Sequence, residues 1–283
     1  MSANRKFLPG SEWIYFKIYT GVKTSDIILL EVLKPLIEEF KSEKLIQKWF
    51  FIRYSDPKPN LRIRLNITTP NNYYILLHKI SSRFEEYLNS GEISNVMIDT
   101  YKRELERYGE STIEYAEEFF FRSSDLSLNF LEYDDENKII VALFYIDCIL
   151  SELGLSNEEK INWIKNFDNN FKFEFNADKN LNIQLNKKYQ NFHSQYLEFY
   201  ASEKYKEIKN LITTNISECK ESVETILELE KRECLSVGIK DFFQSIFHMH
   251  LNRLFVSNQR LFEMIVYDYF LRFYKLKKMN VLK

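Results

Sequence analysis

Glycine, proline and cysteine are scarce in this chain, and their scarcity limits what kind of protein it encodes. Only 6 Gly and 5 Pro occur in 283 residues, so few loops are expected and long helices are favoured. The cysteines, Cys148, Cys219 and Cys234, are widely spaced, which predicts reduced thiols and neither a disulfide framework nor a metal site. No apolar run approaches the ~18 residues of a membrane span, and no signal-peptide region opens the chain, so we expect a cytoplasmic protein.

A strong net charge is absent as well, which argues against nucleic acid as a direct partner. The 39 basic and 41 acidic residues leave a formal net charge of -2, whereas nucleic-acid-binding domains are usually clearly basic. Hydrophobic residues make up 45% of the chain and aromatic residues 16%, a composition typical of a globular protein with a large core. P-loop, GxGxxG, GxSxG and DFG motifs are all missing, so neither a cofactor nor a metal is expected.

Alternating apolar and β-forming residues predict a small, mostly antiparallel sheet in the N-terminal part. Its strands are predicted at Glu12–Thr20, Trp49–Tyr54, Leu61–Ile67 and Val96–Ile98. The turn sequence SDPKPN separates the second strand from the third, so we expect these two to form a hairpin. After the first strand, Thr24, Ser25 and Asp26 are typical of a helix start, and this helix should continue to Phe40 with a kink at Pro35.

Helical periodicity dominates the rest of the chain. It predicts helices at Asn71–Leu88, Ile113–Phe121, Ile139–Leu153, Tyr189–Arg232, Asp241–Phe255 and Gln259–Lys278. The segment Asn169–Lys188 is rich in Asn and Lys and is predicted to be a long loop. Neither a repeat nor a linker is visible, so the sequence predicts one α+β domain over residues 1–283, with long helices mainly in the C-terminal half.

Two arginine-containing segments carry residue types suited to anion binding. In LRIRL, alternation places Arg62 and Arg64 on one strand face, where they form either a carboxylate-binding platform or an ordinary solvated face. In YKRELERYG, Glu104 and Arg107 share one face of a helical turn that Gly109 ends. Taken alone, that pair is an ordinary surface ion pair.

A third segment, FHMHLNRLF, contains two of the four histidines. On a helix, His248 and Asn252 share one face, whereas His250 points elsewhere, so the two histidines cannot chelate one metal ion. His248 is therefore either a hydrogen-bonded core residue or a group directed into a cleft.

Taken together and in order, FLPGSEWIYFKIYTG, FFIRYSDPKPNLRIRL, YKRELERYG and HMHLNRL resemble the C-terminal elimination domain of class I lanthipeptide dehydratases. The family includes free-standing thiopeptide-type bacteriocin biosynthesis proteins. The resemblance implies β-elimination of glutamate from glutamylated Ser or Thr of a precursor peptide. In full-length members a large N-terminal domain transfers glutamate from glutamyl-tRNA, so the chain resembles one half of a split dehydratase. The implied partners are the glutamylated peptide and a separate tRNA-dependent glutamylating protein; a homodimer is left open.

The resemblance also implies a set of site residues, carried over position by position. The family's RxR strand matches Arg62 and Arg64, its Glu and Arg in the segment before YG match Glu104 and Arg107, and its helix histidine matches His248. We expect these five side chains to converge on one cleft.

These residue types suit an elimination. The α-proton is weakly acidic and needs a base within hydrogen-bond reach, and a neutral imidazole such as that of His248 is suitable. Preorganised arginines can stabilise charge on the amide oxygen and on the departing carboxylate, while Glu104 orients Arg107 or another arginine.

One position departs from the family pattern, and two other functions remain open. Asn60 stands where the motif often has His, and we interpret it as a turn residue. A branch of the same fold forms the pyridine of thiopeptides by cycloaddition, but the resemblance implies that this branch lacks the Arg/Glu/His set. A third interpretation is a non-catalytic, peptide-binding scaffold for the glutamylating partner.

Overall fold

The computed structural model describes residues 3–281 and has the predicted α+β architecture. The strands are Lys6–Phe7 (β1), Trp13–Thr20 (β2), Ile46–Ser55 (β3), Pro59–Ile67 (β4), Ile93–Asp99 (β5) and Tyr101–Lys102 (β6). The α-helices are Thr24–Ile27 (α1), Lys34–Ser42 (α2), Asn72–Asn89 (α3), Leu105–Tyr108 (α4), Ile113–Ser127 (α5), Asp135–Glu152 (α6), Asn157–Glu174 (α7), Lys179–Ala201 (α8), Lys206–Ser217 (α9), Lys220–Lys231 (α10), Ile239–Leu254 (α11) and Gln259–Val281 (α12).

The main sheet has four antiparallel strands in the order β3-β4-β2-β5, and β1 pairs with β6 in a separate two-stranded ladder. The predicted hairpin is confirmed, because β3 pairs with β4 from Ile46–Ile67 to Ser55–Pro59. The central strand β4 also pairs with β2 along its length. This position holds LRIRL in register on both sides.

One face of the sheet is closed by a hydrophobic core. Leu61, Ile63, Leu65 and Ile67 are at most 3% exposed, so the predicted inward face of β4 is confirmed. They belong to a core cluster that also contains apolar residues of the helices on either side of β3 and β4 in sequence, α2 and α3. Because successive side chains alternate, the arginines of β4 must project from the opposite face.

The helix expected up to Phe40 contains a π-helical segment at Ile28–Leu33 between α1 and α2. Pro35 occupies the first turn of α2, where its missing N–H is tolerated. Just before it, the N–H of Lys34 bonds to the carbonyl of Leu29, five residues back, in place of the usual four. The expected break at Pro35 therefore takes the form of a widened turn that precedes the proline.

The long loop predicted at Asn169–Lys188 is wrong, because α7 and α8 cover this segment except for a short connection. Phe171 and Leu185 are 2% and 4% exposed, so each helix buries an apolar stripe beneath its Asn and Lys residues. Asp178 starts α8 by accepting a hydrogen bond of 2.7 Å from the N–H of Leu181. Burial of widely spaced apolar residues decides the helix here, and the polar composition concealed it.

The chain divides into two compact units. Met1–Leu131 and Leu229–Ser257 form one unit, which contains the sheet, and Glu132–Glu228 and Asn258–Lys283 form a second, helical unit. Across residues 3–281, no helix has the length and apolar character needed to cross a membrane.

Candidate functional site

The face of the sheet opposite the core carries the two arginines of β4. In the strand register, Arg64 lies between Tyr15 of β2 and Phe50 of β3. Arg62 lies between Lys17 and Ile52, two pairs further along and on the same face. Directly paired residues of antiparallel strands share a face, so this face combines cations with aromatic and apolar side chains.

Arg64 is a buried cation held by aromatic rings. It is 7% exposed, and its guanidinium carbon lies 4.6 Å from the ring centre of Tyr15, 5.2 Å from that of Phe50 and 5.1 Å from that of Tyr101. Its Nε is buried without a hydrogen-bond partner among the described residues. Aromatic faces stabilise a cation only partly, so this guanidinium retains donors for an anion.

An open recess of about 360 Å³ lies beside this arginine. Its lining includes Arg64 from the sheet, Glu104 and Tyr108 from the region of α4, Phe120 from α5 and Met249 from α11. Strand β4, the consecutive helices α4 and α5, and helix α11, which are distant from one another in the sequence, thus meet at one concave surface. Aromatic and apolar groups form most of its wall, with few polar groups, as is typical of small ligand sites.

Arg62 occupies the neighbouring position on the same face. Its guanidinium carbon lies 3.4 Å from the ring centre of Tyr54, and its Nε is also buried without a hydrogen-bond partner in the part of the chain that the structure describes. Lys17 and Asp99 form an ion pair nearby, whose hydrogen bond raises the pKa of Lys17 and lowers the pKa of Asp99. The positive charge of Arg62 contributes to the low pKa of Asp99 and opposes the rise at Lys17.

Glu104 lines the recess directly before α4, and Arg107 lies within this short helix. The two side chains approach to 3.8 Å between Glu104 Oε2 and Arg107 Nη1, so the sequence-predicted pair is present. Arg107 Nε also donates a hydrogen bond of 3.2 Å to Ser245 Oγ of α11. Gly109 ends α4 with φ +78°, as predicted, and a Cβ there would meet Thr112 Oγ1 at 2.5 Å.

Helix α11 is fixed to the sheet by Asn252. Its amide accepts a hydrogen bond of 2.9 Å from the N–H of Arg53 on β3 and donates one of 3.0 Å to the carbonyl of the same residue. His248 lies one turn earlier on the same helix face and is half-buried. It follows Ser245, which contacts Arg107, by three residues and directly precedes Met249, which lines the recess.

His250 faces away from this surface, as the helical spacing predicts. It is fully buried, and its Nδ1 lies 2.8 Å from Ser123 Oγ of α5. Burial, and then the positive charge of Arg253, hold its pKa well below the ordinary value. His250 is therefore a neutral core residue that packs α11 against α5.

The structure brings the five sequence-predicted residues into the sheet-containing unit, with different degrees of contact. Arg64 and Glu104 line the recess, and Arg107 is tied to Glu104. Arg62 lies two strand pairs from Arg64 on the same face. On α11, His248 lies between Ser245, which contacts Arg107, and Met249, which lines the recess. Within residues 3–281, no three His, Cys, Asp or Glu side chains are grouped as metal ligands.

A buried network that the sequence motifs did not predict lies behind the recess. Tyr101 donates a hydrogen bond of 2.7 Å from its hydroxyl to Glu117, which also receives two hydrogen bonds from Arg103, at 2.8 and 2.7 Å. Burial raises the pKa of Tyr101 well above its ordinary value, so the hydroxyl stays a donor. These residues hold one of the three rings around Arg64. The adjacent aromatic and cationic residues in YKR were the available signal, but Glu117 is distant in sequence.

Comparison with known proteins identifies the family. The profile described as "Lantibiotic biosynthesis dehydratase C-term" matches residues 13–274. The chain belongs to this family. The match of this dehydratase C-terminal domain runs through both compact units and includes all five candidate site residues.

Curated relatives carry the same domain within much longer chains. Nisin biosynthesis protein NisB of Lactococcus lactis subsp. lactis is 26% identical over 274 residues, which are 93% of this chain and 25% of NisB. Subtilin biosynthesis protein SpaB of Bacillus subtilis is 24% identical over 191 residues, or 65% of this chain and 18% of SpaB. The chain thus spans about a quarter or less of the length of these relatives.

Solved structures share the fold at low sequence identity. The tRNA-dependent lantibiotic dehydratase MibB from Microbispora sp. 107891 aligns with a TM-score of 0.68 and 19% identity, covering 97% of this chain and 29% of MibB. TsrL aligns with a TM-score of 0.68 and 12% identity, over 93% of this chain and 95% of TsrL. TbtD, a pyridine synthase from thiomuracin biosynthesis, aligns with a TM-score of 0.65 and 13% identity, over 94% of this chain and all of TbtD.

Proposed function

We propose that this dehydratase C-terminal domain removes glutamate from glutamylated Ser or Thr residues of a precursor peptide, leaving dehydroalanine or dehydrobutyrine. The observation that carries the proposal is Arg64, a buried guanidinium with no ion pair among the described residues, in the wall of an open recess. The substrate supplies the missing anion, because a glutamyl ester carries free carboxylate and polarised ester oxygens.

In this proposal the arginines of β4 bind the glutamyl group and stabilise developing charge. Arg64 is fixed by its three aromatic neighbours and presents its unpaired donors to an oxyanion or carboxylate. Arg62, fixed over Tyr54, presents a second guanidinium from the same face. The rigid positions of both side chains limit the reorganisation needed as charge builds up.

Arg107 adds a third cation, which pairs with Glu104 of the recess lining. Glu104 and Ser245 hold its guanidinium from two directions, so Glu104 acts as a positioning residue rather than as the base. This assignment agrees with the large exposure of Glu104, whose side chain is 62% accessible and therefore well solvated.

His248 is the proposed base. Its neutral imidazole takes the α-proton, the electron pair of the Cα–H bond forms the Cα=Cβ double bond, and the Cβ–O bond breaks. The ester carboxylate leaves as glutamate, and the proton on His248 passes to solvent. His248 is half-buried and directly precedes Met249 of the recess lining, and partial burial suits a base that must both approach substrate and exchange protons.

The substrate of this reaction must be made first by another activity. An ATP- or tRNA-binding motif is missing from the sequence, and the chain spans about a quarter of NisB. The chemistry requires a tRNA-dependent activity that esterifies the peptide hydroxyls with glutamate, and we propose that a separate protein supplies it.

The decisive experiment uses a chemically glutamylated Ser-containing peptide and the purified protein. Mass spectrometry should show a product that is lighter than the free Ser peptide by one water. Free glutamate should be released at the same time. A control with the corresponding unmodified peptide should show no mass change. If the ester is only hydrolysed back to Ser, or is left intact, the elimination proposal is wrong.

A pyridine-forming cycloaddition is the second candidate, favoured by the likeness to TbtD over its whole length. That reaction starts from two dehydroamino acids that are already present in the peptide. A linear peptide with two dehydroalanines separates the candidates, because a cycloaddition enzyme would convert it and an eliminating enzyme would leave it unchanged. A non-catalytic scaffold would change neither this peptide nor the glutamylated one.

A further inference from the structure

The helical unit contains a second concave surface, unrelated to the residues of the elimination site. An open groove of about 800 Å³ lies between α8 and α12. Helix α8 contributes Asn186, Gln190 and His193 to its lining, and α12 contributes Arg272 and Lys275. Arg272 and Lys275 are the cations of this lining, and among the described residues no Asp or Glu lines the groove.

The charges beneath the groove do not cancel. Lys172 bridges Asp168 at 2.8 Å and Asp268 at 2.7 Å, and Asp268 also receives Arg272 at 2.5 Å. Lys275 acts on Asp168 only through its charge and makes no ion pair within the described part of the chain. The three cations are Lys172, Arg272 and Lys275, and the two carboxylates are Asp168 and Asp268. One positive charge is therefore in excess, and the exposed Lys275 carries it at the groove.

Tyr189 adds a donor that lacks a partner. Its residue is 4% exposed, it lines the groove, and its hydroxyl is buried without a hydrogen-bond partner among the described residues. A buried hydroxyl without a partner is costly, so an acceptor in the groove would be stabilised. Burial raises the pKa of Tyr189 and keeps the hydroxyl protonated, although the charge of the neighbouring Arg272 opposes this rise.

The fixed position of Arg272 makes the groove a preformed site. Asp268 binds its Nε and Nη2, and Asn186 accepts a hydrogen bond of 2.8 Å from its Nη1. Each terminal nitrogen of a guanidinium has two N–H groups, so donors remain for a planar anion. The rings of Tyr189 and His193, 5.4 Å apart, and the partly exposed Leu276 offer apolar surface for methylene groups.

We propose that this groove binds a side-chain carboxylate of an acidic segment in the peptide substrate. The proposal rests on the proposed function, since it takes a precursor peptide to be the substrate. A carboxylate satisfies Lys275, the free donors of Arg272 and the hydroxyl of Tyr189 together. A free amino acid fits less well, because no carboxylate in the lining can receive its ammonium group.

Calorimetric titration of the full chain tests the proposal without turnover. The probes are an acetylated and amidated octapeptide of alternating Glu and Leu, the same peptide with Gln in place of Glu, and free L-glutamate. The Glu peptide should bind at least ~10-fold more tightly than the other two. Lys275→Gln and Tyr189→Phe should each weaken its binding by ~5-fold or more.

Two variants serve as controls. Lys188→Gln removes the same charge from an exposed position of α8 outside the groove and should bind the Glu peptide like the parent. Arg83→Gln, at an exposed position of α3 in the other unit, should also bind it normally. Equal binding of the Glu and Gln peptides, or normal binding by Lys275→Gln, overturns the proposal. Binding of L-glutamate as tight as that of the Glu peptide assigns the groove to the free amino acid and also overturns it. Because the titration needs no turnover, failure of the binding test and failure of the elimination assay are separate results.

Discussion

At the scale of single residues, Arg64 combines near-complete burial with the lack of an ion pair among the described residues. Removing a guanidinium from water costs several kcal/mol, and three aromatic faces offset only part of that cost. An anionic substrate would offset the remainder. Arg103, buried to a similar degree on the neighbouring segment, instead has Glu117 as a bidentate partner and needs no ligand.

The first prediction concerns Arg64→Lys. The variant should keep the fold, because the positive charge and the aromatic contacts persist, but lysine cannot reproduce the planar fork of the guanidinium. Elimination from the glutamylated peptide should fall by ~100-fold, the rate equivalent of a lost oxyanion donor. Arg83→Lys, an exposed position on α3, is the matched control and should retain the parent rate. A rate for Arg64→Lys within twofold of the parent would mean that Arg64 supplies only a diffuse positive field.

The second prediction concerns His248→Ala. A base removed from a half-buried position should cut the elimination rate by ~10²–10⁴ and change the melting temperature little. With the glutamylating partner present, glutamylated peptide should accumulate. His78→Ala makes the same change at an exposed position of α3 and should eliminate normally. Equal rates for the two variants would remove His248 from the mechanism.

His250 behaves differently from His248 for a physical reason. It is fully buried against Ser123, so its replacement by Ala would leave a cavity and an unmet hydroxyl, at a cost of ~1–4 kcal/mol. Any loss of activity in that variant would accompany a lower melting temperature. The pair of measurements, rate and stability, therefore separates a core histidine from a base two residues away.

At the scale of elements, the short helix α4 depends on the glycine that ends it. Gly91 and Gly109 have similar positive φ angles, +84° and +78°, but only Gly109 has close neighbours. A Cβ on Gly109 would meet Thr112 Oγ1 at 2.5 Å and Ser236 Oγ at 3.0 Å, whereas one on Gly91 would meet nothing within 4 Å.

The third prediction compares Gly109→Ala with Gly91→Ala. Both variants carry the cost of a positive φ, roughly 1–3 kcal/mol. Gly109 also has ψ 147°, a combination that is nearly confined to glycine, and only Gly109→Ala creates a steric clash. Chemical denaturation should show Gly109→Ala to be the less stable of the two by ~1 kcal/mol or more. Elimination should fall only in Gly109→Ala, because α4 carries Arg107 and follows Glu104 directly. If the two variants were equally stable and active, the clash would be relieved at no cost and α4 would not depend on this turn.

At the scale of the whole molecule, the chain matches about a quarter of NisB and 29% of MibB, and it covers nearly all of TsrL and TbtD. The dehydratase C-terminal fold can therefore stand in chains of quite different length. For this chain, the proposed chemistry needs a glutamyl ester, and the sequence contains no recognisable motif for making that ester.

The fourth prediction is a division of labour. The protein alone should leave an unmodified Ser- or Thr-containing precursor peptide unchanged, even with ATP, glutamate and tRNA supplied. Addition of a glutamylating protein with glutamyl-tRNA should produce dehydrated peptide, as measured by mass spectrometry. His248→Ala in the same mixture should stop at the glutamylated peptide. Dehydration by the protein alone would disprove the split arrangement.

The local sequence pattern predicts the strand hairpin, the inward face of β4 and the helical character of α11, because each follows from a short-range period of side chains. It also placed Glu104 and Arg107 on one turn and directed His250 away from His248, since helix geometry fixes both relations. The motifs were local enough to support the family resemblance.

The groups that surround those residues follow from long-range packing, which local patterns do not predict. Strand pairing places Tyr15 beside Arg64, and Tyr101 of β6 packs against the same guanidinium. Ser245 contacts Arg107 because Asn252 fixes α11 to β3. The polar segment before Lys188 is helical because of stripes that are buried only in the folded chain. Contacts between residues a hundred or more positions apart arise from packing, which leaves no period in the sequence, so local patterns predicted the elements and the fold assembled the site.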